Sequence, residues 1–400
     1  MQQPVQPRLP MAVTLSAGLI AIGVGYASTM PYDAIIAIDH LKISHGDFAL
    51  ILTGAALVGV LASITLGWLS DRIGDRRVLV LATAVIGAIG FGLLYLLRSP
   101  LAFALAYCVI LPFSNTAFSQ TFAYARVYYD QREPKVAEFR ITMLRSFFAA
   151  SWVMVPPLAG WIAAIYSVFD VYLLAALAYL VCGAVSVLML SDPGTNLVAT
   201  PPTRRVDGTR EGIALPMLVG IGGVLLINVA IKLSGTVTPL AMVSNYGGSI
   251  GDVGIANGIR ALLEIPLMLL WGVAGRRFRK PTLIAVAALV FGLYMVLMAQ
   301  AHTVIEVFAL QVLAAVAIAA LMSVPISYMQ EAIRGRVGLS TSLLDVNIVV
   351  SGLLGAGLFG LFAGPQNYLL LFWIAGGLAA AGALVLVVAH NVVERQPAAA

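Results

Sequence analysis

Four hundred residues would build two or three soluble domains, but 60% of them are hydrophobic and only 10% charged, with a mean hydropathy of +0.97. A soluble globule cannot hide that much apolar surface, so the chain is an integral membrane protein, and a cytosolic enzyme core, intrinsic disorder and nucleic-acid binding are excluded. The net charge of +5 then calls for a topological explanation rather than a basic ligand surface.

Crossing about 30 Å of hydrocarbon takes about 20 apolar residues. By that rule the first half holds spans at 11–36, 47–70, 78–97, 101–126, 141–166 and 171–190. The second half holds spans at 213–239, 250–274, 282–300, 304–327, 338–362 and 367–390. Arg8 before the first run imitates a signal peptide, but the apolar stretch runs too long and no small-residue cleavage site closes it. Asp33 sits near the outer end of span 1, just beyond Pro31, either in surface water or as an intramembrane acid. Cys108 and Cys182 lie in apolar runs and read as small buried hydrophobes with no disulfide between them.

In span 4, Asn115, Gln120 and Tyr124 stay broadly on one side of the helix, followed by Arg126; Trp152 follows in span 5. The only long polar stretch, 191–212, divides the chain near its midpoint, as a linker would between domains at 1–190 and 213–400. Span 7 carries Asn228 and Lys232. Span 8 carries Glu264, about 14 residues or about 21 Å along the helix. Arg260 is one turn earlier on the same face, so Glu264 is either a proton-exchanging acid or half of a static pair. The glycine-rich run 352–364 of span 11 reads as close packing by small residues. Asp345, about two turns into that span, is open to pairing with an arginine such as Arg126 or Arg145, and Asn347 lies in the same span.

The four histidines are scattered, no Cys-x-x-Cys occurs and no Walker-type loop is present. No metal or nucleotide cofactor is expected, which leaves an ion gradient as the energy source. If both termini are cytoplasmic, nineteen of the 23 Lys and Arg residues fall inside and only Lys42, Arg98, Lys232 and Arg260 remain for the outer half.

Between spans 2 and 3 the chain reads Gly67-Trp68-Leu69-Ser70-Asp71-Arg72-Ile73-Gly74-Asp75-Arg76-Arg77. This resembles the Gly-x-x-x-Asp-Arg-x-Gly-x-Arg-Arg loop of the major facilitator superfamily. Gly67 is expected to admit a neighbouring helix, Gly74 to form a tight turn, and Arg72, Arg76 and Arg77 to hold the loop at the anionic leaflet. The resemblance implies that Asp71 latches the start of span 11, near Val337, in one conformation. The matching loop of the second half, 272–280, keeps the basic residues without an acid.

Stretches 115–126, 144–160, 262–269 and 328–344 are similar to segments of bacterial sugar efflux transporters. The chain departs from them at Val155, where a glycine usually precedes the paired prolines. The resemblance implies twelve helices in two six-helix bundles, acting as a monomer in the bacterial inner membrane, with protons, lipids and a small-molecule substrate as partners. The expected function is proton-coupled export of sugars or small glycosides by alternating access, with a multidrug or other amphiphile antiporter as the alternative. Asn115, Gln120, Tyr124, Arg126, Trp152, Asn228 and Asn347 would supply the substrate site. Glu264, Arg260, Asp33, Asp345 and Lys232 would serve coupling.

Overall fold

The structure is a computed structural model that describes residues 8–197, 215–332, 337–364 and 366–395. Among these residues every regular element is helical. That is what lipid demands, because only a helix or a closed barrel satisfies its own backbone polar groups without water.

Twelve helices are long and apolar enough to cross a membrane. The first six are Met11–Thr29, His45–Ser70, Arg76–Leu97, Pro100–Arg132, Ala137–Ile165 and Asp170–Ser191. The second six are Met217–Ser244, Ile250–Ala274, Lys280–Gln300, Val304–Gln330, Leu343–Phe362 and Tyr368–Asn391. They are spans 1 to 12 below.

Span ends carry local stop and start chemistry. Ser99 caps span 4 by accepting from the Ala102 N–H, with Pro100 at the first helical position. Ser249 and Asp252 form a reciprocal capping box at the start of span 8. Span 1 is shorter than expected: it pauses at Met30–Tyr32, where Pro31 has no N–H to give, and resumes as Asp33–Ile35 and a π-helical turn, Ile36–His40. A second π-helical turn, Ala106–Ile110, interrupts span 4.

The chain divides into two compact units. Unit 1 comprises Met1–Ile43, Gly54–Pro202 and Val253–Gly258; unit 2 comprises Ser44–Thr53, Thr203–Asp252 and Ile259–Ala400. Within unit 1, spans 1 and 3 close around Tyr179 of span 6. A Cβ at Gly25 or Gly87 would lie 2.7 or 2.5 Å from that ring. Within unit 2, Gly223 of span 7 and Gly382 of span 12 bring their backbones together, each Cβ position lying 2.8 or 2.6 Å from the other's carbonyl oxygen. The run 352–364 is only partly used this way: Gly355 and Gly360 face Lys232 and Ala49, while Gly352 and Gly357 face open space.

Candidate functional site

Unit 1 gathers aromatic rings from spans 1, 4 and 5. The Tyr26 hydroxyl of span 1 donates to the Asn115 backbone carbonyl of span 4 at 2.7 Å. The Tyr26 ring meets Phe148 of span 5 edge-on at 6.3 Å, and Phe148 lies 4.5 Å from Phe118, which lies 4.7 Å from Phe122. The Arg145 guanidinium sits over Phe122 at 6.0 Å. Asn115 and Ser119, one turn apart, are exposed within the span. An amide exposed at membrane depth is expensive in lipid unless water or a polar partner reaches it. The ring cluster escaped the sequence reading, although Phe118 and Phe122 stand at the four-residue spacing that puts them on one helix face.

Other expected residues of span 4 are placed differently. Gln120 is buried, its Oε1 without a donor among the described residues. Tyr124 is only 3% exposed and its hydroxyl donates to the Thr195 carbonyl at 2.6 Å, so it serves the fold. Arg126 bonds Asp130 and Glu138 at 2.9 and 2.7 Å on an exposed surface. Trp152 is half-buried.

In unit 2, Asn228 of span 7 and Asn347 of span 11 come together. The Asn228 Nδ2 donates to Asn347 Oδ1 at 2.7 Å, and Asn347 Nδ2 donates to the Ile221 carbonyl at 3.3 Å. The pair ties two helices by hydrogen bonds that lipid cannot replace. Arg260 and Glu264 of span 8 also meet, Nε to Oε1 at 3.2 Å, with side chains 28% and 23% exposed. Lys232 and Asp345 are both exposed within their spans.

The first candidate acid is not simply in surface water. Asp33 is half-buried, and the Tyr172 hydroxyl of span 6 donates to its Oδ1 at 3.3 Å. Tyr107, in the π-helical turn of span 4, faces the same carboxyl.

The loop between spans 2 and 3 is organised by its own polar groups. Gly74 adopts φ of 75°, the left-handed turn its identity permits. Asp75 caps span 3 by accepting from the Arg77 N–H. The Arg77 side chain is not a leaflet anchor. It is 6% exposed, bonds Asp75 at 2.7 and 2.9 Å, and donates to Thr195 Oγ1 at 2.7 Å and the Met189 carbonyl at 3.1 Å. Asp192 extends the knot, accepting from the backbone N–H groups of Arg8, Leu9 and Gly194. Burial alone would raise the Asp75 carboxyl, but the hydrogen bonds and charge of Arg77 outweigh it and hold the group below its ordinary value. Arg72 lies over Trp68 at 5.2 Å, and Arg76 is half-buried. Among the described residues, a Cβ at Gly67 would meet nothing within 4 Å. The side chain of Asp71 and those at the start of span 11 lie outside the described residues, and the expected latch with them.

Three kinds of similarity bear on this arrangement. The chain is 28% identical to a putative sugar efflux transporter of Deinococcus radiodurans over 93% of this chain and 96% of the relative. It is 28% identical to sugar efflux transporter B of Salmonella typhimurium over 88% of this chain and 89% of that one. Among solved structures, the peptide transporter POT in complex with sulfate superimposes with a TM-score of 0.77 at 15% identity, covering 98% of this chain and 97% of that one. The nucleoside transporter NupG does so with a TM-score of 0.76 at 11% identity, covering 96% and 100%. The family model described as the Major Facilitator Superfamily matches residues 14–228 and again residues 219–400, one block for each half of the sequence. With twelve spans and a family match over both halves, the chain belongs to the Major Facilitator Superfamily and is a multi-pass membrane transporter of small molecules, not an enzyme.

Proposed function

We propose that this transporter exports sugars or small glycosides, driven by the proton gradient through alternating access. The observation that carries the substrate class is the end-to-end similarity to relatives described as sugar efflux transporters. Side-chain chemistry supports it. A sugar ring offers hydroxyls to amides and a C–H face to aromatic rings. The exposed Asn115 and the Tyr26, Phe118, Phe122 and Phe148 ring cluster of the same unit suit that recognition, with Asn228 and Asn347 as amides of the second unit.

Coupling draws on the intramembrane ionisable groups Glu264, Arg260, Asp33, Asp345 and Lys232, since charge at that depth is costly unless used. On this reading the two six-helix halves, 1–190 and 213–400, rock about the substrate and are joined by the linker 191–212. Both termini face the cytoplasm of a bacterial inner membrane, the protein works as a monomer, and no bound cofactor takes part. The loop from Gly67 to Arg77 stands on the cytoplasmic face, where Asp71 engages span 11 in one conformation.

The test is transport by the purified protein in liposomes under an imposed pH gradient, with a panel of labelled mono- and disaccharides and one lipophilic cation. Gradient-driven movement of a sugar, abolished by a protonophore, is the expected result. Movement of the cation with no movement of any sugar would replace the sugar reading with the amphiphile antiporter. Sugar movement indifferent to the gradient would leave the substrate standing and remove proton coupling.

A further inference from the structure

Charge in the middle of a membrane needs a use, and span 7 carries one there. Lys232 lies fifteen residues after Met217, about 22 Å along a span of about 40 Å, close to the depth at which charge is most costly. A lipid-facing lysine escapes that cost by reaching for the interface, but from the midplane the interface is about 15 Å away, farther than the stem extends. The Lys232 side chain is exposed, yet enough protein surrounds it to desolvate the ammonium. That combination marks the wall of a cleft rather than the lipid face.

No carboxylate of unit 2 answers this charge. Among the described residues Lys232 forms no ion pair. The acids inside the spans of its unit are placed elsewhere: Asp252 in the capping box with Ser249, Glu264 on Arg260, and Glu306 on the His302 N–H. Asp345 stands ten residues before Gly355, the span 11 position that packs on Lys232, and so about 15 Å along the helix from it.

Packing fixes the stem and leaves the head available. A Cβ at Gly355 would come within 3.2 Å of the Lys232 Cβ, so this glycine lets span 11 close on the base of the side chain. One turn earlier on the same face, the Asn228 Nδ2 holds Asn347 at 2.7 Å, while its Oδ1 and second amide hydrogen take no part in that bond. Span 7 thus presents an ammonium and an amide about 6 Å apart along one helix face.

The first half of the chain shows that the fold does not require this pair. Spans 1 and 7 align on Pro31 and Pro239, with Ser28 against Thr236 and Ala27 against Gly235. In that register Lys232 corresponds to Val24 and Asn228 to Ile20. The scaffold repeats, while the charge and the amide belong to span 7 alone.

We propose that Lys232 binds a single negative charge on the substrate, so that the exported sugars are sugar acids, with the carboxylate on the Lys232 ammonium and a ring hydroxyl on the Asn228 amide. One ammonium balances one charge. Arg260, the other Lys or Arg well inside a span of unit 2, is spent on Glu264, which leaves no second cation there for a phosphate of up to about −2. Within the coupled cycle Lys232 contributes a standing charge and not an exchangeable proton. The inference rests on the sugar-export reading above and names the class of sugar.

The experiment compares wild type, Lys232→Gln and Lys232→Arg in liposomes at equal pH on both sides, which takes the proton gradient out of the readout. Exchange is measured for labelled glucose with glucuronate, galactose with galacturonate, and the neutral methyl ester of each acid. Wild type is expected to take at least one acid about tenfold more tightly than its parent sugar or its ester. Lys232→Gln should weaken that acid by about 10–100-fold, the worth of one hydrogen bond to a charged group, and leave the neutral ligands within about twofold. Lys232→Arg keeps the charge and should recover part of the loss. Calorimetric binding of the same ligands to the purified proteins gives the same comparison for a variant that folds without exchanging.

Wild type that takes neutral sugars as tightly as the acids would overturn the assignment, as would equal losses of acid and ester in Lys232→Gln. Acid exchange intact in Lys232→Gln, with only gradient-driven accumulation lost, would return Lys232 to proton coupling and refute the anion site. A wild type that moves neither sugars nor sugar acids would bring down the sugar-export reading itself.

Discussion

Arg77→Met is the sharpest test of the polar knot at the end of unit 1. The substitution keeps most of the aliphatic volume and removes a guanidinium that is 6% exposed and bonds Asp75, Thr195 and the Met189 carbonyl. Breaking a buried charge pair costs about 3–5 kcal/mol, but Asp75 is 27% exposed and water repays part of that, leaving about 2–3 kcal/mol. At about 2–4 °C per kcal/mol for a unit of this size, the melting temperature should fall by about 5–10 °C. A thiol-reactive dye can follow melting, because Cys182 is 1% exposed and reacts only when span 6 opens; half-buried Cys108 is first replaced by Ser. The exposed Arg72→Met is the control, and should melt within about a degree of wild type. Equal melting of Arg77→Met and Arg72→Met would show that the knot contributes nothing and that both arginines act alike at the surface.

Acid should weaken the same knot. The Asp75 carboxyl is held below its ordinary value of 3.8, so its contribution is full above that pH and is lost as the pH falls through the lower native value. The melting difference between wild type and Asp75→Asn should therefore close on acidification below about pH 4. Gly254→Ala would press a methyl into the Pro156 carbonyl and the Tyr32 hydroxyl, an overpacking cost of about 1–3 kcal/mol. Gly235→Ala, with open space around its Cβ position, should melt no lower than wild type. Asn347→Ala strands the Asn228 amide and should lower melting by the worth of one membrane hydrogen bond, about 0.6 kcal/mol, with Asn228→Ala adding little further when combined. Arg126→Ala breaks two exposed pairs and is expected to leave both melting and sugar exchange unchanged.

The twelve spans were legible because membrane crossing is a property of composition along about 20 residues, and no tertiary contact is needed to read it. The turn at Gly74 was local chemistry of the same kind. The loop from Gly67 to Arg77 carried the family in its spacing, and the family model matches both halves of the sequence. What the sequence withheld is how each helix is rotated about its axis. A helix apolar on all sides carries no stripe to mark its inner face. Tyr124 and Asn115 therefore looked alike as candidates, although one hydroxyl is spent on the Thr195 carbonyl and the other residue stays exposed. Arg77 read as a surface charge until residues 189–195, more than a hundred positions away, supplied its acceptors. Asp33 gained its meaning only when spans 4 and 6 brought Tyr107 and Tyr172 to it. Composition decides that a segment lies in the membrane; the partners of its polar groups are decided by packing between segments distant in sequence.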